Sequence, residues 1–313
     1  MDIQYQKRAK LLITLLPAIL LLLGICSFLM YSFFDSGALT KVSQKKIEKK
    51  ADDKLKFLVF GDSGSGSKEQ KTLAALMTKE KTDVLLHTGD LAYERGSINE
   101  INDNVLAIYK DLFTNAAFYP VLGNHDYITE NGKPFVDTFD LPENERYYSF
   151  SLGKVLFIAL DSNAPLDEVP NKMLPWLENT LAEKAKQNTW VIVYFHHPPY
   201  STGIIHGSDS RVEEKIVPIL EKYSVDVVFN GHDHNYQRTC EILNGKCDKR
   251  GILYIVTGGG GKSLYSVGRA EWFTQVQKSV YHFVVGEKEG CNLYLKAVDL
   301  AGVVFDKVTK SKC

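Results

Sequence analysis

Five short segments of this chain gather side chains that bind metals. They are Gly61-Asp62, Gly89-Asp90-Leu-Ala-Tyr93, Gly123-Asn124-His125-Asp126, His196-His197-Pro-Pro-Tyr200 and Gly231-His232-Asp233-His234. Of the eight histidines, six (His125, His196, His197, His206, His232 and His234) lie in or beside these segments, leaving only His87 and His282 elsewhere. Carboxylate and phenolate are hard anionic donors suited to a trivalent ion, whereas imidazole and amide suit a divalent one. Taken singly the segments are weak signals: an aspartate in a Gly-Asp turn is more often a helix cap or turn residue, and histidines at i, i+2 also occur in cores. All five, each after an apolar run, point together to a metal site. Glycine before Asp62, Asp90, Asn124 and His232 lets the backbone turn sharply and aim the next side chain into a crowded pocket.

To converge, the segments must share one edge of a fold. Apolar, β-rich runs cover Lys56–Phe60, Asp83–Thr88, Ala117–Leu122, Val155–Leu160, Trp190–Phe195, Val225–Phe229 and Ile252–Thr257. Helical patterns fall at 68–81, 102–115, 171–187 and 211–223. From about residue 281 the pattern changes to hairpins, with strands at Tyr281–Val285, Asn292–Val298 and Val303–Val308. Alternating strands and helices that end in antiparallel strands predict an α/β sandwich. In open α/β sheets ligands collect outside the carboxyl ends of the strands, where these segments fall.

Composition narrows the function classes. With 37 basic and 38 acidic side chains the formal charge is −1, which excludes the basic excess of a nucleic-acid footprint, so no nucleic-acid partner is expected. Hydrophobic residues at 44% and charged residues at 24% exclude a disordered chain. The charge is unevenly spread: residues 1–50 hold eight basic and three acidic side chains, leaving 29 and 35 for the remainder, a net of −6.

No charge interrupts Leu11–Phe34. As a helix rising about 1.5 Å per residue it spans roughly 36 Å, enough to cross a hydrocarbon core of about 30 Å. Lys7, Arg8 and Lys10 precede it as in a secretory signal, but the stretch exceeds the roughly 7–15 residues of a cleavable one. An uncleaved signal anchor is the leading reading, with a cleaved signal or a lipoprotein as alternatives. Lysines 41, 45, 46, 49 and 50 follow the segment, so flanking charge alone does not orient it, yet long C-terminal domains translocate largely regardless. Cys26 sits in the apolar segment, leaving Cys240, Cys247, Cys291 and Cys313, an even number that fits an oxidising compartment. Cys240 and Cys247 flank Asn244-Gly245, a tight-turn signal, and a disulfide is expected between them.

In their order, the five segments resemble the ligand motifs of the calcineurin-like metallophosphoesterases and, within them, of the purple acid phosphatases, over roughly residues 55–300. The wider superfamily opens with Asp-x-His, whose histidine holds the first metal; here Asp62-Ser63-Gly64 lacks it. Asp90-Leu-Ala-Tyr93 is similar to the Gly-Asp-x-x-Tyr segment of purple acid phosphatases, where tyrosine joins that metal. The paired loss and gain marks the subfamily better than either motif alone. The fold implied is a four-layer αββα metallophosphoesterase sandwich, here behind an N-terminal transmembrane helix. Residues 1–10 are then a basic flank, 11–34 the membrane anchor, 35–53 a lysine-rich linker, and 54–313 a catalytic domain outside the cytoplasm, in a periplasm, a lumen or the cell exterior.

The resemblance implies two metal ions. Asp62, Tyr93 and His234 would hold the first, ferric iron; Asn124, His196 and His232 the second, iron, zinc or manganese; and Asp90 would bridge them. It implies an acid phosphatase that cleaves small phosphate monoesters by direct attack of a metal-bound hydroxide, with no phosphoenzyme. His125 and His206 are the candidate proton donors, one beside ligand Asn124 and the other ten residues after His196 in a loop able to reach back over the pocket. Asp126 is placed either to orient His125 or to stabilise the turn, and His197, next to His196 in a strand, faces the other way and packs. Gly258-Gly-Gly-Gly261 lacks a P-loop pattern and reads as a site of close backbone packing. The alternatives are a phosphodiesterase or nucleotide-directed hydrolase on the same core, and an anchored binding module without activity.

Overall fold

The computed structural model describes residues 41–43, 45–48, 54–166 and 172–313. Its compact unit runs from Val42 to Cys313. Two sheets form its centre. In the first, β1 (Leu55–Phe60), β2 (Val84–His87) and β3 (Ala117–Pro120) run parallel, and β12 (His282–Glu289), β13 (Asn292–Asp299) and β14 (Val304–Ser311) extend the β1 side antiparallel, giving the order β14-β13-β12-β1-β2-β3. In the second, β5 (Val155–Ala159), β6 (Trp190–Tyr194), β7 (Val227–Asn230) and β10 (Ile252–Thr257) run parallel. Antiparallel β4 (Tyr148–Leu152), β8 (Tyr236–Leu243) and β11 (Thr274–Lys278) complete the order β11-β8-β10-β7-β6-β5-β4, and short β9 (Lys246–Cys247) pairs with β8.

Side-chain alternation explains the layers. Phe157, Ile192, Phe229 and Leu253 of the second sheet share a core with Phe57 and Val59 of the first, and the Phe57 ring lies 5.5 Å from Phe157 and 6.5 Å from Phe229. Their neighbours Leu156, Val193, Val228 and Tyr254 face the opposite way, onto Leu177 and Leu181 of the helix Met173–Lys184 and Val212 and Leu220 of the helices Ser210–Lys215 and Val217–Lys222. On the first sheet, the helix Lys68–Thr78, capped by Ser67, contributes Leu73, Ala74 and Met77. At the β8 and β14 ends a polar contact ties the sheets: Tyr236 Oη and Arg238 Nε each donate to Asp306 at 2.6 Å.

The mixed α/β architecture with two sheets is as expected. Two helices differ. The 211–223 pattern is two short helices meeting at Ile216, because Pro218 has no N–H to continue the ladder. The 102–115 pattern starts earlier, at Ile98, where Ser97 and Glu100 form a capping box, passes through a π-turn at Asn102–Leu106, and resumes at Lys110–Asn115. Within the expected linker, Val42 is bridged to Phe139 and packs on the core.

Cys240 and Cys247 are joined across the hairpin, with Asn244 and Gly245 both at positive φ (51° and 68°) as a two-residue primed turn demands. A second disulfide, Cys291–Cys313, fastens the C-terminus to the β12–β13 turn. The expected membrane anchor, 11–34, lies outside the described residues, and among those described no helix is long and apolar enough to cross a membrane.

Candidate metal centre

Each parallel strand of the site delivers its donor from the residues after its carboxyl end: Asp62 after β1, Asp90 and Tyr93 after β2, Asn124 after β3, His196 after β6, and His232 and His234 after β7. All seven converge, in two groups. Tyr93 Oη lies 2.8 Å from Asp90 Oδ2, 3.0 Å from His234 Nε2 and 3.3 Å from Asp62 Oδ1. His196 Nε2 lies 3.0 Å from Asn124 Oδ1, 3.1 Å from His232 Nδ1 and 3.5 Å from Asp90 Oδ1. Asp90 thus gives one oxygen to each group.

Ring protons are fixed from outside. His196 Nδ1 is 2.9 Å from the Thr88 carbonyl and His234 Nδ1 is 2.8 Å from the Ser263 carbonyl. A carbonyl only accepts, so each Nδ1 carries the proton and each Nε2 turns a lone pair inward. His196 Nε2 and Asn124 Oδ1 then face each other as two acceptors at 3.0 Å, an arrangement that calls for a cation.

The electrostatics agree. Burial raises the Asp62 carboxyl to about 7 despite its bond to His234, and burial with the Asp90 and Asp62 charges raises the Tyr93 phenol well above its usual value. Burial, followed by neighbouring imidazoles, lowers His196 and His232. For His234 burial acts downward, but the bond and charge of Asp62 outweigh it and the net shift is upward. Among protein groups alone, the anionic donors are therefore pushed toward neutrality, while His196 and His232 are kept neutral. A multivalent cation among them reverses the first effect and uses the second. The residues fit a two-metal site.

The expectation that glycine makes each turn holds at Gly89, whose φ is 96°, and needs correction elsewhere. The candidate donors turn themselves: Asp62, Asp90 and His232 have φ of 56°, 52° and 69°, a left-handed conformation that costs a non-glycine residue about 1–3 kcal/mol. Gly61, Gly123 and Gly231, which have no such φ, serve close approach. A Cβ on Gly123 would sit 2.2 Å from Asp90 Oδ1, and one on Gly231 2.4 Å from Asp62 Oδ2. Gly258 and Gly260 pack as expected, against the Asp233 and Gly61 carbonyls at 2.3 and 2.2 Å from a hypothetical Cβ.

His125 and His206 both reach this pocket. His125 Nδ1 donates to the Glu94 carbonyl at 2.8 Å, and its ring centre lies 4.7 Å from that of Tyr93. His206, on an exposed loop, lies with its ring centre 3.8 Å from that of His232 and the two planes tilted by 30°. Asp126 does not touch His125: its buried carboxylate accepts from the backbone N–H groups of Leu91, Ala92 and Gly123 at 3.0, 3.2 and 2.8 Å, bracing two ligand loops on each other. Burial and the Asp90 charge push it up to about 8, against those bonds. His197 packs behind the site, bonded to Ser162 Oγ at 2.8 Å.

Two neighbours were not anticipated. The Tyr265 ring stacks on His234 at 4.0 Å, and Lys262 Nζ lies 4.6 Å over the Tyr93 ring while pairing with Glu94. Their one cue in the sequence is their position just after the tetraglycine segment.

Known proteins place the chain. The calcineurin-like phosphoesterase family model matches residues 55–236. Purple acid phosphatase 7 of Arabidopsis thaliana is 31% identical over 284 residues, covering 80% of this chain and 83% of its own. Probable inactive purple acid phosphatase 24 of the same plant is 27% identical over 68% of this chain and 42% of its own; the chain spans about half the length of several further relatives. Among solved structures, the purple acid phosphatase PPD1 from yellow lupin (Lupinus luteus) seeds superposes with a TM-score of 0.76 at 22% identity, over 86% of this chain and 56% of that one. The chain belongs to the calcineurin-like phosphoesterase family and, within it, to the purple acid phosphatases.

Proposed function

We propose that this protein is a two-metal phosphomonoesterase of the acid phosphatase type, anchored through residues 11–34 with its catalytic domain outside the cytoplasm. The observation that carries the catalytic reading is the division of the Asp90 oxygens between two donor groups 2.8 and 3.5 Å away. Asp62, Tyr93 and His234 would hold ferric iron, and Asn124, His196 and His232 would hold iron, zinc or manganese, with Asp90 on both. Bound there, the ions would supply Lewis acidity and a water made nucleophilic in acid.

The chain's own groups do the rest. His125 keeps its Nδ1 proton on the Glu94 carbonyl, and as an imidazolium it would direct its second N–H, on Nε2, at a phosphoryl oxygen. His206, against the His232 ring, protonates the departing alkoxide. Two disulfides among the described residues support an oxidising compartment, and the uncharged 11–34 segment supports the anchor.

The test uses the purified full chain: metal content, visible spectrum, and turnover of 4-nitrophenyl and bis(4-nitrophenyl) phosphate. We expect about two metal equivalents, a tyrosinate-to-iron band that Tyr93→Phe abolishes, and faster turnover of the monoester. Comparable diester turnover would reassign the substrate to phosphodiesters. Colourless metal would remove iron, and loaded protein inert toward every ester would leave a binding module. A membrane-impermeant label reaching residues 54–313 in intact cells checks the placement.

A further inference from the structure

The loop that carries His206 is held from behind by a side chain of the metal-ligand turn. Asp233 lies between His232 and His234 and is fully buried. Its Oδ2 accepts from Ser201 Oγ at 2.5 Å and from the Gly207 N–H at 3.2 Å, so one carboxylate closes both ends of the 201–207 segment. Between those ends Gly203 lies against it, where a Cβ would be 2.0 Å from Oδ1. The base of the loop is stapled further. Gln237 Nε2 donates to Ser201 Oγ at 2.8 Å, the Thr202 N–H donates to Gln237 Oε1 at 2.7 Å, and the Gly268 N–H donates to the Thr202 carbonyl at 2.6 Å. The tip differs: Ile204 and Ile205 are 63% and 59% exposed, and His206 beside them is exposed too. What fixes His206 over His232 is therefore the anchored base, and its central acceptor is the side chain between two metal ligands.

We propose that Asp233 is a positioning residue for His206. Its backbone spaces His232 and His234 while its carboxylate sets the proton donor above them. The inference rests on the reading of His206 as that donor. As the oxygen of water bonds to phosphorus and the ester P–O bond breaks, the leaving alkoxide takes the imidazolium proton and departs as an alcohol, and a proton of the water restores the ring. A residue that only stabilised the fold would affect all esters alike. One that positions His206 matters most where the leaving group is basic and needs the proton.

Asp233→Asn, Gly203→Ala, His206→Ala and the double variant Asp233→Asn/His206→Ala test this in the full chain. The measurements are metal content, hydrogen exchange over 201–208, and kcat for 4-nitrophenyl phosphate against a simple alkyl phosphate. We expect unchanged metal content and faster exchange over 201–208 in Asp233→Asn and Gly203→Ala. Their kcat loss should be roughly 10²-fold on the alkyl ester and much smaller on the nitrophenyl ester, and the double variant should be no slower than His206→Ala. Equal losses on both esters, losses that multiply in the double variant, or metal lost from both Asp233→Asn and Gly203→Ala would overturn the assignment. If His206→Ala discriminates between the esters and the other two single variants do not, this inference alone fails. If His206→Ala spares both esters, the donor role fails with it.

Discussion

The two sheets build unlike halves of one pocket. The first supplies the oxygen donors Asp62, Asp90, Tyr93 and Asn124, and fixes them through backbone: two of the four sit at positive φ, and Asp126 braces their loops on each other. The second supplies the imidazoles His196, His232 and His234; His232 also sits at positive φ, but the other two are fixed through their outer ring nitrogens, each on a carbonyl. Oxygen donors lack a second polar atom on a rigid ring by which to be held, so their backbone must be exact in its place. Imidazole donors can be aimed by the nitrogen that does not ligate. Damage to the first half should therefore act through loop geometry, and damage to the second through ring orientation.

The greatest damage should come at the residue both halves share. Asp90 faces Tyr93 with one oxygen and His196 with the other. Asp90→Asn keeps the shape but removes the charge, and activity should fall by at least the roughly 10²–10³-fold that loss of one electrostatic donor costs. Metal analysis should show less than a full complement. Retention of both metals and of turnover would mean that the halves do not meet at Asp90.

Asp126 isolates the first half, since it bonds only backbone on that side. Asp126→Ala leaves three buried N–H groups without their acceptor and should cost about 10–100-fold in metal affinity or activity, as loss of a ligand's support does. The Tyr93 band expected of the proposed centre should shift or weaken, because Leu91 and Ala92 lead directly into Tyr93. An unchanged spectrum with unchanged affinity would place the bracing elsewhere.

The candidate donors were legible because donor types are few and each segment that carries them begins one or two residues after an apolar run. Asp62, Asp90, Asn124 and His232 could thus be aimed at one edge before any pairing of strands was known. What supports them was not legible. Asp126 acts on Leu91 across 35 positions and Asp233 on Ser201 across 32, and no local pattern records which N–H or hydroxyl a carboxylate will meet. The turn at Asp62 was misplaced by one residue for a related reason: a Gly-Asp pair suggests that glycine takes the unusual φ, whereas contact with Thr88 is what forbids a side chain at Gly61. Strands β4 and β11 escaped because they are half-exposed and polar at alternate positions, recognisable only once β5 and β8 lie beside them.

The seam between the halves yields a smaller effect, on stability. His282 of β12 in the first sheet lies 3.0 Å from Thr257 Oγ1 at the end of β10 in the second. Its Nδ1 donates to the Val280 carbonyl at 2.9 Å, so Nε2 accepts from the threonine hydroxyl and the ring is held neutral. Burial lowers its pKa to about 4, against an ordinary value of 6.5. Between these values the unfolded chain binds a proton that the folded one refuses, so stability rises with pH across this window and falls on acidification, by up to about 1.4 kcal/mol per pH unit from this group. His87, lowered by burial to about 3, contributes with the same sign on the first-sheet side alone. His282→Asn keeps a donor for Val280 and cannot take up a proton. It should therefore be less stable than the parent at pH 7 and lose less stability between pH 6.5 and 4.5, measured by denaturant unfolding. Parallel pH profiles for parent and variant would show that the seam carries no proton-linked stability, and that the acid sensitivity of the fold lies within the halves.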